Sequence, residues 1–337
     1  MRSKRMVLAV VALSFVTGPV FGQANWQVTN TFHVGGDGGW DYVTVDSQSH
    51  RVYVTRTTHT MAIDGATGKV LGDIPGQKVS HGVALVPKLG RGFITDGGGS
   101  GAIVVFDLKT FNVLGSIPTV PDSDGIIYDA GMDRVLSVSG DGGVLMTFRP
   151  DIDPVNGKMD PPIDLGGKPE FLAADGKGKV YINLVDKDLV AVVDLHTRKV
   201  VARWPVAPGG HPVGMALDEK THRLFIGCRN PQKMIVMSTE DGKVEAALPI
   251  GAGVDATKAD EGQAFASCRD GSLTVAAEKS GSYEVVQTLT TADGARTMGI
   301  DAVTHEIFLA TAELEPATTG RPRAKPGTFE ILVVGRR

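Results

Sequence analysis

An all-β, seven-bladed β-propeller with four-stranded antiparallel blades is the fold class that the sequence predicts, and three observations predict it. A large apolar or aromatic residue heads a short strand-like run at Tyr53-Val54-Thr55, Phe93-Ile94-Thr95, Leu136-Ser137-Val138, Tyr181-Ile182-Asn183, Phe225-Ile226-Gly227, Phe265-Ala266-Ser267 and Phe308-Leu309-Ala310. Successive markers lie 40, 43, 45, 44, 40 and 43 residues apart, which is the period of a propeller blade. Turn residues bound runs of strand formers throughout, without helical periodicity, and this excludes an α/β reading. Finally, the last unit is one strand short, while the N-terminal segment has a strand to spare.

The chain begins with Arg2, Lys4 and Arg5, an apolar run from Met6 to Val16, and the small-residue exit Val20-Phe21-Gly22. Basic, apolar and cleavable regions in that order read as a signal peptide over residues 1–22, cut after Gly22 or Ala24. The apolar run is about half the ~20 residues of a spanning helix. The expectation is therefore an exported protein, periplasmic or extracellular, with no membrane span after cleavage. Residues 23–337 then form one domain, as all-β folds run well past ~150 residues as single units, and it is expected to act as a monomer. Cleavage removes three positive charges and no negative ones, taking the formal net charge from −4 to −7. Such a field opposes polyanions unless a local basic patch is present.

Each unit has the same anatomy. An inner strand of small or β-branched residues ends in Asp, as in Val43-Thr44-Val45-Asp46 and Met215-Ala216-Leu217-Asp218. The marker strand follows, then a polar loop and a third strand such as Ile103-Val104-Val105-Phe106-Asp107. A tight turn such as Thr67-Gly68-Lys69 or Asp241-Gly242-Lys243 leads to the fourth strand. The recurrence of Asp46, Asp129, Asp175, Asp218, Asp260 and Asp301 in six units marks them as turn chemistry. The seventh unit stops after Phe329 to Val334, and Trp26 to Val34 fits its missing fourth strand. Pairing the two ends closes the ring and leaves no open edge.

The marker Tyr53-Val54-Thr55, the Ile63-Asp64-x-x-Thr67-Gly68-Lys69-Val70 unit and Val193-Asp194-x-x-Thr197-x-Lys199-Val200 resemble the YVTN-repeat propellers, which include the YncE-like exported proteins. The resemblance covers essentially the whole mature chain. It implies the fold and export, but no shared catalytic set, because these motifs are structural. Some YncE-like members are associated with DNA binding, and related propellers act as lactonases or dehydrogenase subunits.

Aligning the units on their markers and reading the column of Asp41 gives the ring Asp41, His81, Asp124, Glu170, Val213, Asp255 and Arg296 around the channel mouth. Asp41, His81, Asp124, Glu170 and Asp255 are candidate ligands of a divalent cation, the carboxylates suiting Ca²⁺ or Mg²⁺ and the imidazole admitting Zn²⁺ or Mn²⁺. The competing reading is turn chemistry, with the Arg neutralising the acids. A slip in the alignment of the fifth unit brings His211 toward the ring in place of Val213. Loops of the same face carry Arg56, His59, Asp96, Arg229 and Arg269, and Arg56, His211, Arg229, Arg269 and Arg296 are candidate contacts for an anionic ligand. Gly97-Gly98-Gly99-Ser100-Gly101 lacks the Lys-Ser/Thr of a phosphate loop and reads as a flexible turn.

Cys228 and Cys268 take matching positions in adjacent units, farther apart than a disulfide spans, and are expected to be separate thiols. There is no G-x-S-x-G elbow and no C-x-x-C-H. The last unit carries an insertion from Glu313 to Gly327, a lid, a partner contact or a mobile loop. Three functions follow: a binding module for a small ligand, divalent cation or protein partner at the mouth; a metal-dependent hydrolase of lactone type on the same ring; and, by resemblance alone, a nucleic-acid binder.

Overall fold

A computed structural model describes residues 25–316 and 322–337; the segment read as a signal peptide and the tip of the last insertion lie outside the described residues. Seven four-stranded antiparallel sheets form a β-propeller, with a small accessory hairpin, Leu314–Glu315 with Arg323–Ala324, inside the insertion of the last blade. The inner strands, in blade order, are Val43–Asp46, Ser80–Val86, Ser123–Asp129, Pro169–Ala174, Pro212–Asp218, Val254–Asp260 and Thr297–Ile300. In each blade the marker residue is the one that pairs with the middle of the inner strand, as Tyr53 pairs with Thr44 and Phe265 with Lys258.

The hydrophobic core is distributed rather than central. Seven buried clusters each combine residues of two neighbouring blades. Tyr53 of the first blade packs with Phe106 of the second, for example, and Phe308 of the last blade packs with Val43 and Val54 of the first. A blade alone has two apolar faces and no way to bury them; stacking around the axis covers both.

Turns behave as the sequence predicts. Asp64 Oδ1 accepts from the backbone N–H groups of Ala66 and Thr67 and from the Thr67 hydroxyl, and Asp107 does the same with Lys109 and Thr110. These bonds are the physical content of the Asp-x-x-Thr motif. Gly68 follows with φ +72°, and a Cβ there would lie 2.3 Å from the Phe32 ring. The recurrent Asp after the inner strand caps a turn in five blades, through Asp46, Asp129, Asp175, Asp218 and Asp301. Asp260 departs from this pattern and accepts instead from Nδ1 of His305 at 2.8 Å.

Closure follows the expected route. Trp26–His33 pairs antiparallel with Glu330–Arg336 and is the outermost strand of the last blade. A bulge between Val28 and Asn30 changes its side-chain phase, because one extra residue exchanges the two faces of a strand. Trp26 therefore joins the cluster shared with the sixth blade, whereas Phe32 joins the cluster shared with the first. Trp26 is buried edge-on against Phe265 at 5.0 Å, its Nε1–H donates to Gln263, and its backbone exchanges two bonds with the Gln287 side chain. Trp26→Ala empties this socket and should cost about 3–5 kcal/mol, read as a lower urea midpoint at unchanged slope. A cost below about 1 kcal/mol would show that the closing strand is held by its ladder alone.

Candidate ligand site at the channel mouth

The predicted ring residues meet at one end of the channel, and a repeated backbone device aims them there. In blades two to six the inner strand carries a register shift at the ring position: at His81, Asp124, Glu170, Val213 and Asp255. A bulge re-aims one side chain out of the alternation of a strand. In blades one and seven, Asp41 and Arg296 sit just before the first paired residues instead. The glycine after the bulge in blades two, three and five lets neighbouring inner strands close up. A Cβ at Gly82, Gly125 or Gly214 would come within 2.8 Å of Ile126, Glu170 or Thr257 of the next blade.

The ring is electrically divided. On one side, His81 Nδ1 lies 2.6 Å from Asp41 Oδ2 and 3.7 Å from Asp124 Oδ1. Two carboxylates hold the imidazolium proton against the opposing effect of burial, and the His81 pKa rises to about 9. Asp124 Oδ1 is buried and accepts no hydrogen bond from the described residues. Burial pushes the Asp124 pKa well above the usual carboxylate range, against the pull of His81. On the other side, Asp255 is bracketed by Arg229 at 2.5 Å and Arg296 at 3.3 Å, and Arg269 adds its charge. Arg229 also donates to the Val254 carbonyl and Arg296 to that of Trp40, so both guanidinia are fixed in place. Glu170 stands between the two sides. Its pKa rises to about 7 because burial, then the Asp255 charge, disfavour its ionised form.

Tyr42 lies next to Asp41 and reaches across the channel to the fourth blade. Its ring stacks on Phe171 at 4.8 Å, and its buried hydroxyl has no hydrogen-bond partner among the described residues. Burial, and then the charges of Asp124, Glu170, Asp41 and Asp255, raise the phenol's pKa well above its ordinary value. Tyr42 thus lies within the field of all four acids of the ring.

Three sequence-level expectations need correcting. His211 does not enter the ring: it precedes the strand, is exposed, and donates its backbone N–H to Asp188, while Val213 takes the ring position. Arg56 does not face a ligand. It is buried beneath the loop 34–40, donates to the carbonyls of Gly35, Asp37, Gly38 and Gly39, and lies 3.7 Å over the Phe329 ring. The third correction concerns Gly97, which is there for a close approach rather than for flexibility: a Cβ would lie 2.9 Å from Nε2 of His81. Asp96 beside it holds the backbone N–H groups of Lys78, Val79 and Gly98, and His59 lies outside the ring, 3.8 Å from Asp73. Cys228 and Cys268 are buried free thiols with pKa values pushed up to about 12 by burial, so both are inert packing groups at neutral pH.

With this geometry in view, solved structures supply the comparison. The WD40 β-propeller domain of Doa1 superposes with a TM-score of 0.72 at 12% identity, over 93% of this chain and 97% of that one. Hydrazine synthase of Kuenenia stuttgartiensis superposes with a TM-score of 0.69 at 12% identity, over 81% of this chain and 92% of that one. Both likenesses establish the propeller fold. No family model matches the chain, and neither does any curated protein. Among the described residues no helix is long and apolar enough to cross a membrane.

The raised Glu170 pKa has a measurable sign. Its folded-state value lies above the ordinary 4.5, so the native protein binds this proton more tightly than the unfolded chain, and stability falls as pH rises from 4.5 through about 7. Glu170→Gln removes that dependence. Its stability relative to the wild type should grow across that window and level off above it, in urea titrations at stepped pH. A gap constant with pH would mean that Glu170 is solvated like any surface acid.

Proposed function

We propose that this chain is an exported, YncE-like binding propeller whose mouth takes a divalent cation between Asp41, His81 and Asp124. The N-terminal basic-then-apolar segment supports export, and the Asp-x-x-Thr turns and Tyr-Val-Thr marker support the YVTN kinship. The observation that carries the cation is the orphan acceptor: Asp124 Oδ1 is buried, unpartnered and directed at the nitrogen that Asp41 also holds. Ligand atoms of the three residues lie within 4.8 Å of one another. In the metal-free protein the His81 proton balances the two carboxylates. A cation replaces that proton and gains both acids and the imidazole nitrogen, a mixed set that favours Zn²⁺ or Mn²⁺ over Ca²⁺.

The divided ring also suits a ligand that bridges it. A cation on the Asp41–His81–Asp124 side leaves room for an anionic group facing Arg229, Arg269 and Arg296, so that a small carboxylate or phosphate ester binds through the metal and the arginines together. Four carboxylates at the mouth oppose an extended polyanion, which disfavours nucleic acid there. A lactone hydrolase would use the same cation to activate water; turnover of simple lactones by the metal-loaded protein separates binding alone from catalysis.

Zn²⁺ or Mn²⁺ should raise the thermal midpoint of the wild type but not of Asp124→Asn or His81→Gln. Because His81 gives up its proton, affinity should rise with pH up to about 9, and binding enthalpy should vary with the ionisation enthalpy of the buffer. Metal-free protein that none of these ions stabilises would sink the proposal.

A further inference from the structure

Tyr42 and Phe171 also line a cavity of about 430 Å³ walled by the inner strands. Phe171, Leu172, Met215, Met298 and Ile300 supply apolar wall, and the cavity reaches the far face near the exposed Ala302. One Lys or Arg lines it, Lys258. Lys258 pairs with the marker Phe265, and the residues paired with the other six markers are Thr44, Ala84, Ile127, Ala173, Ala216 and Gly299. Six blades place a small or apolar side chain at this level of the channel and the sixth places a cation.

Nothing among the described residues explains that cation. Lys258 forms no ion pair or hydrogen bond among the described residues, and it is partly buried in the wall of the cavity. The carboxylate that shares the cavity lining, Asp260, is taken by His305 Nδ1 at 2.8 Å. Desolvation is the sole influence on the ammonium, and it lowers its pKa. An unpaired cation in such a place is destabilising unless something outside the chain compensates it. The volume lies within the range of small-molecule sites, which combine mostly apolar walls with a few fixed polar groups.

We propose that this cavity is a second binding site, reached from the face opposite the mouth, which takes an apolar monoanion with its carboxylate or sulfonate on Lys258 and its hydrocarbon against Phe171, Met215 and Met298. The site is independent of the proposed cation site, since none of Asp41, His81 and Asp124 lines the cavity.

Sodium octanoate and octan-1-ol are the probes, matched in hydrocarbon and differing in charge. Wild-type protein should bind octanoate saturably and at least about tenfold more tightly than octanol, the difference a charge-assisted contact supplies. Lys258→Met should lose that preference while still binding octanol, and Lys258→Arg should keep it. Equal affinity of the wild type for the two probes, or no saturable octanoate binding, overturns the proposal, and neither result depends on a variant that folds. The metal response of the mouth should be the same in Lys258→Met, so failure of one site does not imply failure of the other.

Discussion

The pairing of Trp26–His33 with Glu330–Arg336 is the constraint on which the rest of the molecule depends. Seven blades bury their faces only if the seventh meets the first, and the chain ends must supply that last contact without a covalent link. The strand does this twice over. Its bulge lets one end insert Trp26 against the sixth blade while the other lays Phe32 against the first. Channel width, and hence the separation of side chains across the mouth, is inherited from this closure: opening one interface would relax all seven.

Given a closed ring, the mouth is assembled by five local irregularities, one in each of blades two to six. The bulges let an inner strand stay packed between its neighbours while a single residue leaves the alternation to face the axis. Asp124 and Glu170 sit in nearly identical backbone settings yet differ in surroundings, one beside His81 and the other between opposing acids and Arg229. Identity around the ring, rather than local shape, therefore sets the chemistry. The buried carboxylates are tolerated because cations are spaced among them, and the side with an unsatisfied oxygen is the one where a histidine, not an arginine, stands guard.

Much of this was legible in the sequence. The markers recur because each pairs with the middle of an inner strand, so aligning on them also aligns the ring, and the column from Asp41 to Arg296 came out in register, with Val213 in the fifth unit. His211 was a competing choice because the sequence does not reveal that the bulge falls at Val213; the glycine that follows it, as at Gly82 and Gly125, was the available signal. Arg56 was misread for a longer-range reason. Its burial depends on the loop 34–40 folding across the blade and on Phe329 from the far end of the chain, neither of which lies in its own repeat. Lys258 carries no motif of its own, and its signal lies in a column that neither the markers nor the ring occupy. The column three residues further along holds a single charge among Thr, Ala, Ile and Gly, and it was visible throughout.

The stack of Tyr42 on Phe171 gives the molecule a handedness along its axis. The two rings come from the first and fourth blades and meet across the channel. On one side of them stand the acids of the mouth, on the other the largely apolar lining that includes Lys258. The Tyr42 phenol borders both, so a charge that arrives at the mouth is felt at the top of the cavity through a group that neither ionises readily nor has a hydrogen-bond partner among the described residues.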